Sequence, residues 1–237
     1  MNMKSKAIII ASAVIGIAIV ILGLSLKFAF DNFTNRDRIV TVRGLCEKEV
    51  MANKVTWPIV TKEMGNDLPG IYNKIQSTNA AIVAFLKENG LTDNEISVNP
   101  PQVFDKAADR YNDQPLASRY QVTNVVVVTS DKVEAVRKLI DKQTQLLQKG
   151  IAVVAGDWNY QTTYEYTDLN SIKPEMIAEA TANARQAADK FAADSHSKLG
   201  KIKTASQGQF SIADRDQYTP NVKTVRVVTS ITYYLED

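Results

Sequence analysis

Twenty consecutive residues, Ala7 to Leu26 (AIIIASAVIGIAIVILGLSL), carry neither a charge nor a proline. At 1.5 Å per residue a helix of that length spans roughly 30 Å, the thickness of a bilayer's hydrocarbon core. A buried helix of a soluble domain would keep a polar face, and this run has none. Residues 1–28 are therefore expected to form an anchor, with Ala7–Leu26 in the membrane. The rival is a cleaved secretory signal peptide. Its apolar region is shorter and ends in a small-x-small site, which Lys27-Phe28-Ala29-Phe30 fits poorly. Lys4 and Lys6 precede the run, but Lys27, Arg36 and Arg38 follow it closely, so charge bias leaves the orientation open.

Beyond the anchor, residues 29–38 read as a linker and 39–237 as one soluble domain. With Lys4 and Lys6 set aside, the 28 basic and 26 acidic residues of the chain leave that part nearly neutral. A nucleic-acid partner is not expected, because phosphate binding needs a basic surface excess. One cysteine, Cys46, permits no intrachain disulfide.

Period-two and period-3.6 patterns alternate along the domain. Ile39–Glu47 is a strand with Val40, Val42, Gly44 and Cys46 on one face. Val55–Met64 is a second; Pro58 makes it an edge or a bulged strand. A helix follows, with Asp67 as N-cap, Ile71, Ile75, Ile82, Phe85 and Leu86 inward, and Asn89-Gly90 as its stop. A strand from Ile96 to Phe104 kinks at Pro100-Pro101. A polar arm, 105–118, leads to a long strand, Arg119–Thr129, whose run Val125–Val128 predicts cover on both faces. Asp131 and Glu134 form a capping box for a helix with Val133, Val136, Leu139, Ile140 and Leu147 inward. Ile151–Tyr166 reads as a strand with Trp158, Tyr160, Tyr164 and Tyr166 on one face, a row suited to core packing or to stacking on a ligand. A helix from Pro174 to about Lys198 turns Ile177, Ala180, Ala184, Ala187 and Phe191 inward. The strands Lys201–Ile212 and Val222–Leu235 flank a second polar arm, 213–221.

A faint repeat runs through this order. Ala108-Asp-Arg110 matches Ala213-Asp-Arg215, and Val125-Val-Val-Val-Thr-Ser130 matches Val225-Arg-Val-Val-Thr-Ser230. Read as duplication, it gives two related helix–strand–arm–strand units with a helix and a strand between them; chance matching of short apolar runs is the other reading. The expected fold class is α+β: about three helices on a mostly antiparallel sheet.

Catalytic chemistry is scarce. His196 is the only histidine, which excludes a zinc site of several His and Cys ligands within one chain. It lies near a helix C-terminus, where a structural role is expected of it. No Gly-x-Ser-x-Gly elbow, Gly-x-Gly-x-x-Gly run or phosphate loop is present. Glu47/Glu49 and Asp93/Glu95 read as solvated strand faces. The acidic sets in the arms lack the spacing of a calcium loop. No catalytic residue, cofactor or metal is assigned. The two arms, with Arg110, Tyr111, Arg215 and Tyr218, are candidate partner contacts, since such extensions bury little alone.

Ile39-Val-Thr-Val-Arg-Gly44, Arg119-Tyr-Gln-Val-Thr-Asn124 and Ala182-Asn-Ala-Arg-Gln-Ala-Ala-Asp-Lys-Phe-Ala192, followed by Lys198-Leu-Gly-Lys-Ile202, together resemble the SIMPL-domain family of bacterial envelope proteins over about residues 38–237. The resemblance implies a non-enzymatic protein on the exocytoplasmic side, here held by a single pass in the inner membrane. It further implies self-association into a homo-oligomer and, for some members, a link to oxidative-stress tolerance. A binding module for a small ligand or envelope partner is the alternative. Cys46 and the residues around Val50-Met51-Ala52 stand where the family often has a second glycine and a proline.

Overall fold

The computed structural model describes residues 3–34, 38–108 and 117–236. Helix α1 (Met3–Thr34) continues past the apolar run into the segment read as a linker. It is long and apolar enough to cross a membrane, and none of residues 13–30 is buried. Among the described side chains, none from α1 belongs to the hydrophobic core.

The remaining elements are β1 (Ile39–Met51), β2 (Lys54–Gly65), α2 (Leu68–Glu88), β3 (Ile96–Val98), β4 (Gln102–Asp105), β5 (Tyr120–Ser130), α3 (Val133–Asp141), α4 (Thr144–Gln148), β6 (Thr163–Glu165), α5 (Leu169–Asp194), β7 (Lys198–Gln207), β8 (Ser211–Asp214) and β9 (Val222–Glu236). The fold is mixed α+β with antiparallel strands, as the patterns predict, but the strands form two sheets where one was expected. The chain divides into two compact units. One comprises 1–48, 172–211 and 226–237; the other comprises 49–171 and 212–225.

Strand order supports the duplication reading. In one sheet the order is β2-β5 with β3 and β4 both on the far side of β5; in the other it is β1-β9 with β7 and β8 both on β9. Each repeat is thus a helix, a two-piece outer strand and a long central strand, while β1 and β2, which pair with the two central strands, both precede the first of these helices in the chain. Elements α3, α4 and β6 lie between the repeats in the chain.

In the first unit, α5 lies very close to β1. Met176, Ala180, Ala184, Ala188 and Ala192 form a buried ridge at i, i+4 spacing. Gly44 of β1 lies beneath it. A Cβ there would stand 1.9 Å from the Ala180 carbonyl oxygen and 2.4 Å from the Ala184 nitrogen. Asn183 Nδ2 adds a hydrogen bond to the Leu45 carbonyl, 2.8 Å. The ridge corrects the expected inner face, because Phe191 is 61% exposed. A strict i, i+4 ridge drifts around the helix, and Phe191 falls on its flank. The helix also begins before Pro174, at Leu169. It ends in a Schellman turn: Ser197 N donates to the Ala192 carbonyl and His196 N to that of Ala193, with His196 at φ 55°.

In the second unit the core is formed by large side chains. Val55, Trp57 and Ile59 of β2 and Val126 and Val128 of β5 meet Ile82, Phe85 and Leu86 of α2 and Val136, Leu139 and Leu146 of α3 and α4. The predicted stripe of α2 is buried as expected, together with Asn79. The expected cap at Asp67 makes no side-chain hydrogen bond. The expected Asp131/Glu134 box is also absent: Lys132 occupies the N-cap position, uncapped. The helix breaks at Lys142-Gln143, which turns Leu146 inward and leaves Leu147 exposed. Val60 O accepts from Val154 N, so by strand alternation Pro58 faces the same flank of β2. That flank pairs with β6 only at residues 54–56, and the missing N–H falls outside it.

A capping box does form at Thr92–Glu95, before β3. Glu95 accepts from Thr92 N (2.9 Å) and Ser130 Oγ (2.5 Å) and pairs with Lys132 at 3.1 Å. The Ser130 hydroxyl is the main reason its carboxyl is held down at about 2.

Two outcomes are expected. Gly44→Ala should destabilise the protein by about 3 kcal/mol or more, because the obstructing atoms are backbone, and a urea melt will measure it. Glu95 titrates lower in the folded state than its ordinary 4.5. Its contribution is therefore complete above that value and is lost as pH falls towards about 2. Glu95→Gln should lower stability near neutrality and flatten this acid loss, read as urea midpoint against pH.

Candidate functional site

The second unit has a groove between α2 and the outer strand β3–β4. Two cavities share Pro101. One, about 330 Å³, is lined by Leu68, Pro69, Ile71, Tyr72, Ile75, Pro101, Val103 and Val122. The other, about 530 Å³, is lined by Gln76, Asn79, Ala80, Val83, Val98, Asn99, Pro100 and Pro101. One wall is the α2 face that follows from the Ile71-Ile75-Asn79 spacing. The other is set by Asn99-Pro-Pro101, where two fixed φ angles interrupt the outer strand between its pairings with β5 at Val98↔Val126 and Gln102↔Thr123.

A buried amide pair lies at the groove. Asn124 Nδ2 donates to Asn79 Oδ1 at 2.6 Å and to Thr61 Oγ1 at 3.3 Å, which uses both of its hydrogens. Asn79 Nδ2 returns one hydrogen to Asn124 Oδ1 at 3.3 Å. Asn79 is only 7% exposed, yet it lines the second cavity. The pair was not singled out from the sequence, although both elements carry the signal. Asn79 interrupts an apolar helical stripe, and Asn124 sits between Val122 and Val126 on one face of β5.

The residues named from the sequence lie elsewhere. Arg110 and Tyr111 fall outside the described residues. At the base of their arm, Arg119 clasps Asp105 with Nε at 3.0 Å and Nη2 at 2.8 Å. Arg215 is engaged in a closed turn, bonding Asp216 (3.0 Å), Thr219 (2.9 Å) and Glu49 (3.4 Å). Asp216 also accepts from the Tyr218 and Thr219 nitrogens and from the Thr219 hydroxyl, which holds its carboxyl far below the usual range. Asp214 pairs with the buried Lys223. Tyr218 stands 84% exposed at the tip.

The four aromatics do not form one strand face. Only Thr163–Glu165 is strand, with one further bridge at Thr61↔Val153. Gly156 at φ 81° and the Asp157 turn break the run. Asp157 accepts from Asn159 N and pairs with Lys62 at 3.1 Å. The Gly-Asp dipeptide carried that turn signal in the sequence. Trp158 is 87% exposed; Tyr164 packs against the core, where burial raises its hydroxyl's pKa. Trp158 and Tyr160 border a separate cavity of about 430 Å³ with Trp57, Pro58 and Val153. Tyr166 Oη lies 3.4 Å from Ser171 Oγ.

Cys46 is buried as the apolar row predicts, with Sγ 3.2 Å from Glu179 Oε2. Burial first, and then Glu179, push the thiol up to about 11. Among the described residues no three His, Cys, Asp or Glu side chains gather as a metal site. In the native protein at pH about 8, Cys46 should react with a thiol reagent far more slowly than in urea. Absorbance of the released chromophore will measure both rates.

No curated protein sequence matches the chain. Among solved structures, the regulatory subunit of aspartate kinase from Thermus thermophilus in its ligand-free form aligns over 80% of this chain and 87% of its own, at 16% identity. Its TM-score of 0.17 carries no argument about fold or activity. The SIMPL family, described as a protein of unknown function (DUF541), matches residues 40–233. That match spans most of the chain, and the chain belongs to the SIMPL family.

Proposed function

We propose that the protein is a non-enzymatic component of the bacterial cell envelope, tethered to the inner membrane by α1 with its folded part on the exocytoplasmic side. In this reading it works by self-association, in envelope maintenance or oxidative-stress tolerance. The exposed apolar length of α1 and membership of the SIMPL family support the tether and the compartment. The groups with strongly shifted titration, Glu95, Asp216 and Cys46, are each engaged in local structural bonds, which suits a non-catalytic role.

One observation carries the association. Among the described residues β7 pairs only with β9, and residues 201–209 are exposed without a break. An outer strand of that length offers backbone groups to a further strand, while Lys201 and Lys203 restrict which partner can approach. A second reading, a ligand-binding module, is favoured by the groove of the second unit.

Because the core does not involve α1, residues 38–237 can be studied without it. Sedimentation velocity on that part should show mass rising with concentration to a dimer or beyond. A single monomeric boundary at millimolar concentration would remove self-association.

A further inference from the structure

The groove along α2 has the features of a ligand site and favours one ligand chemistry. From Leu68 to Val83 it follows about 22 Å of helix, at 1.5 Å per residue. Its two ends differ. The Leu68–Val103 end is lined by apolar side chains, with the half-exposed Tyr72 at its rim. The other end presents the carboxamides of Gln76, Asn79 and Asn99. Among the described residues, no Asp, Glu, Lys or Arg lines either cavity. An apolar pocket with a few oriented polar groups is the usual form of a small-molecule site.

Asn79 is the decisive group. It is nine-tenths buried and locked by Asn124, which is itself held by Thr61. Its second Nδ2 hydrogen has no further partner among the described residues. A buried donor left in this way favours an acceptor, and its fixed orientation lowers the ordering cost of binding.

We infer that the groove binds an uncharged, single-chain amphiphile. The hydrocarbon chain would lie between Tyr72, Val103 and Val122, and a hydroxyl- or ester-bearing head would meet Asn79, Gln76 and Asn99. A charged head is disfavoured because no opposite charge among the described residues lines the cavity to offset its desolvation. An extended peptide is disfavoured for two reasons. Pro100 and Pro101 offer no N–H, so the outer strand cannot continue a ladder past them. The apolar end supplies no partner for peptide N–H and C=O groups, whereas a hydrocarbon needs none. In the tethered reading proposed above, a bilayer would supply such amphiphiles.

This inference deepens the ligand-binding reading and is independent of self-association. The test is titration calorimetry on residues 38–237 in detergent-free buffer. Monodecanoylglycerol below its micellar concentration, decanoate and a short Thr-Val alternating peptide are the probes, with oligomeric state measured on the same samples. Saturable binding of monodecanoylglycerol at one site per chain is expected, about tenfold or more tighter than decanoate. Val103→Lys and Tyr72→Lys, both at half-exposed positions, should weaken it about tenfold or more with an unchanged urea midpoint. Two variants keep the test decisive if one fails to fold. Absence of saturable binding, equal binding of decanoate, preference for the peptide, or undiminished binding by both variants would each overturn the inference. Failure of self-association with binding intact would overturn only the association reading.

Discussion

The first unit depends on a contact in which side chains are nearly absent. Gly44 lets the backbone of α5 come down onto β1, and the ridge from Ala180 to Ala192 keeps the helix there. At that separation a hydrogen bond from a helix side chain to a strand carbonyl becomes available, and Asn183 makes it to Leu45. The same approach encloses Cys46 against Glu179, so the thiol is held protonated by the packing. Dispersion acts over many short contacts there, and one added methyl group would remove them together.

The second unit repeats the strand order with a different filling. Its helix α2 meets the sheet through Ile, Phe and Leu side chains, with the Asn79–Asn124 pair set among them. Large side chains leave room beside the helix, and the Pro100-Pro101 interruption prevents the outer strand from closing it. Two similar strand orders thus carry one helix pressed flat on its sheet and one with a groove along its flank. The buried amides bond to one another and to Thr61, which offsets most of the cost of burying them and leaves one Asn79 hydrogen over among the described residues.

Much of this was legible in residue patterns. The alternation Val42-Gly44-Cys46, the α2 stripe and the repeated Thr-Ser strand ends predicted the elements and their order. The errors have local causes. The aromatic run was read as one strand because the Gly156-Asp157 turn was given too little weight. Phe191 was placed inward by a 3.6-residue average where the actual ridge has period four. Asp131 and Glu134 matched a capping box by spacing, but the box forms at Thr92–Glu95, where Ser130 and Lys132 also converge on the carboxylate. Such convergence joins residues tens of positions apart and has no counterpart in a local window.

The sequence by itself determined the bilayer-length helix and the α+β class, because each depends on periodicity and composition along a continuous stretch; the family was legible as a resemblance in particular motifs. Tertiary structure alone decided which polar residues are engaged and which remain available. Arg215 and Asp216 are held in a turn, whereas Asn79 keeps a donor at the edge of a cavity. Hydrogen bonds and cavities are properties of the distances between segments, and those distances are set only when the helices settle on their sheets.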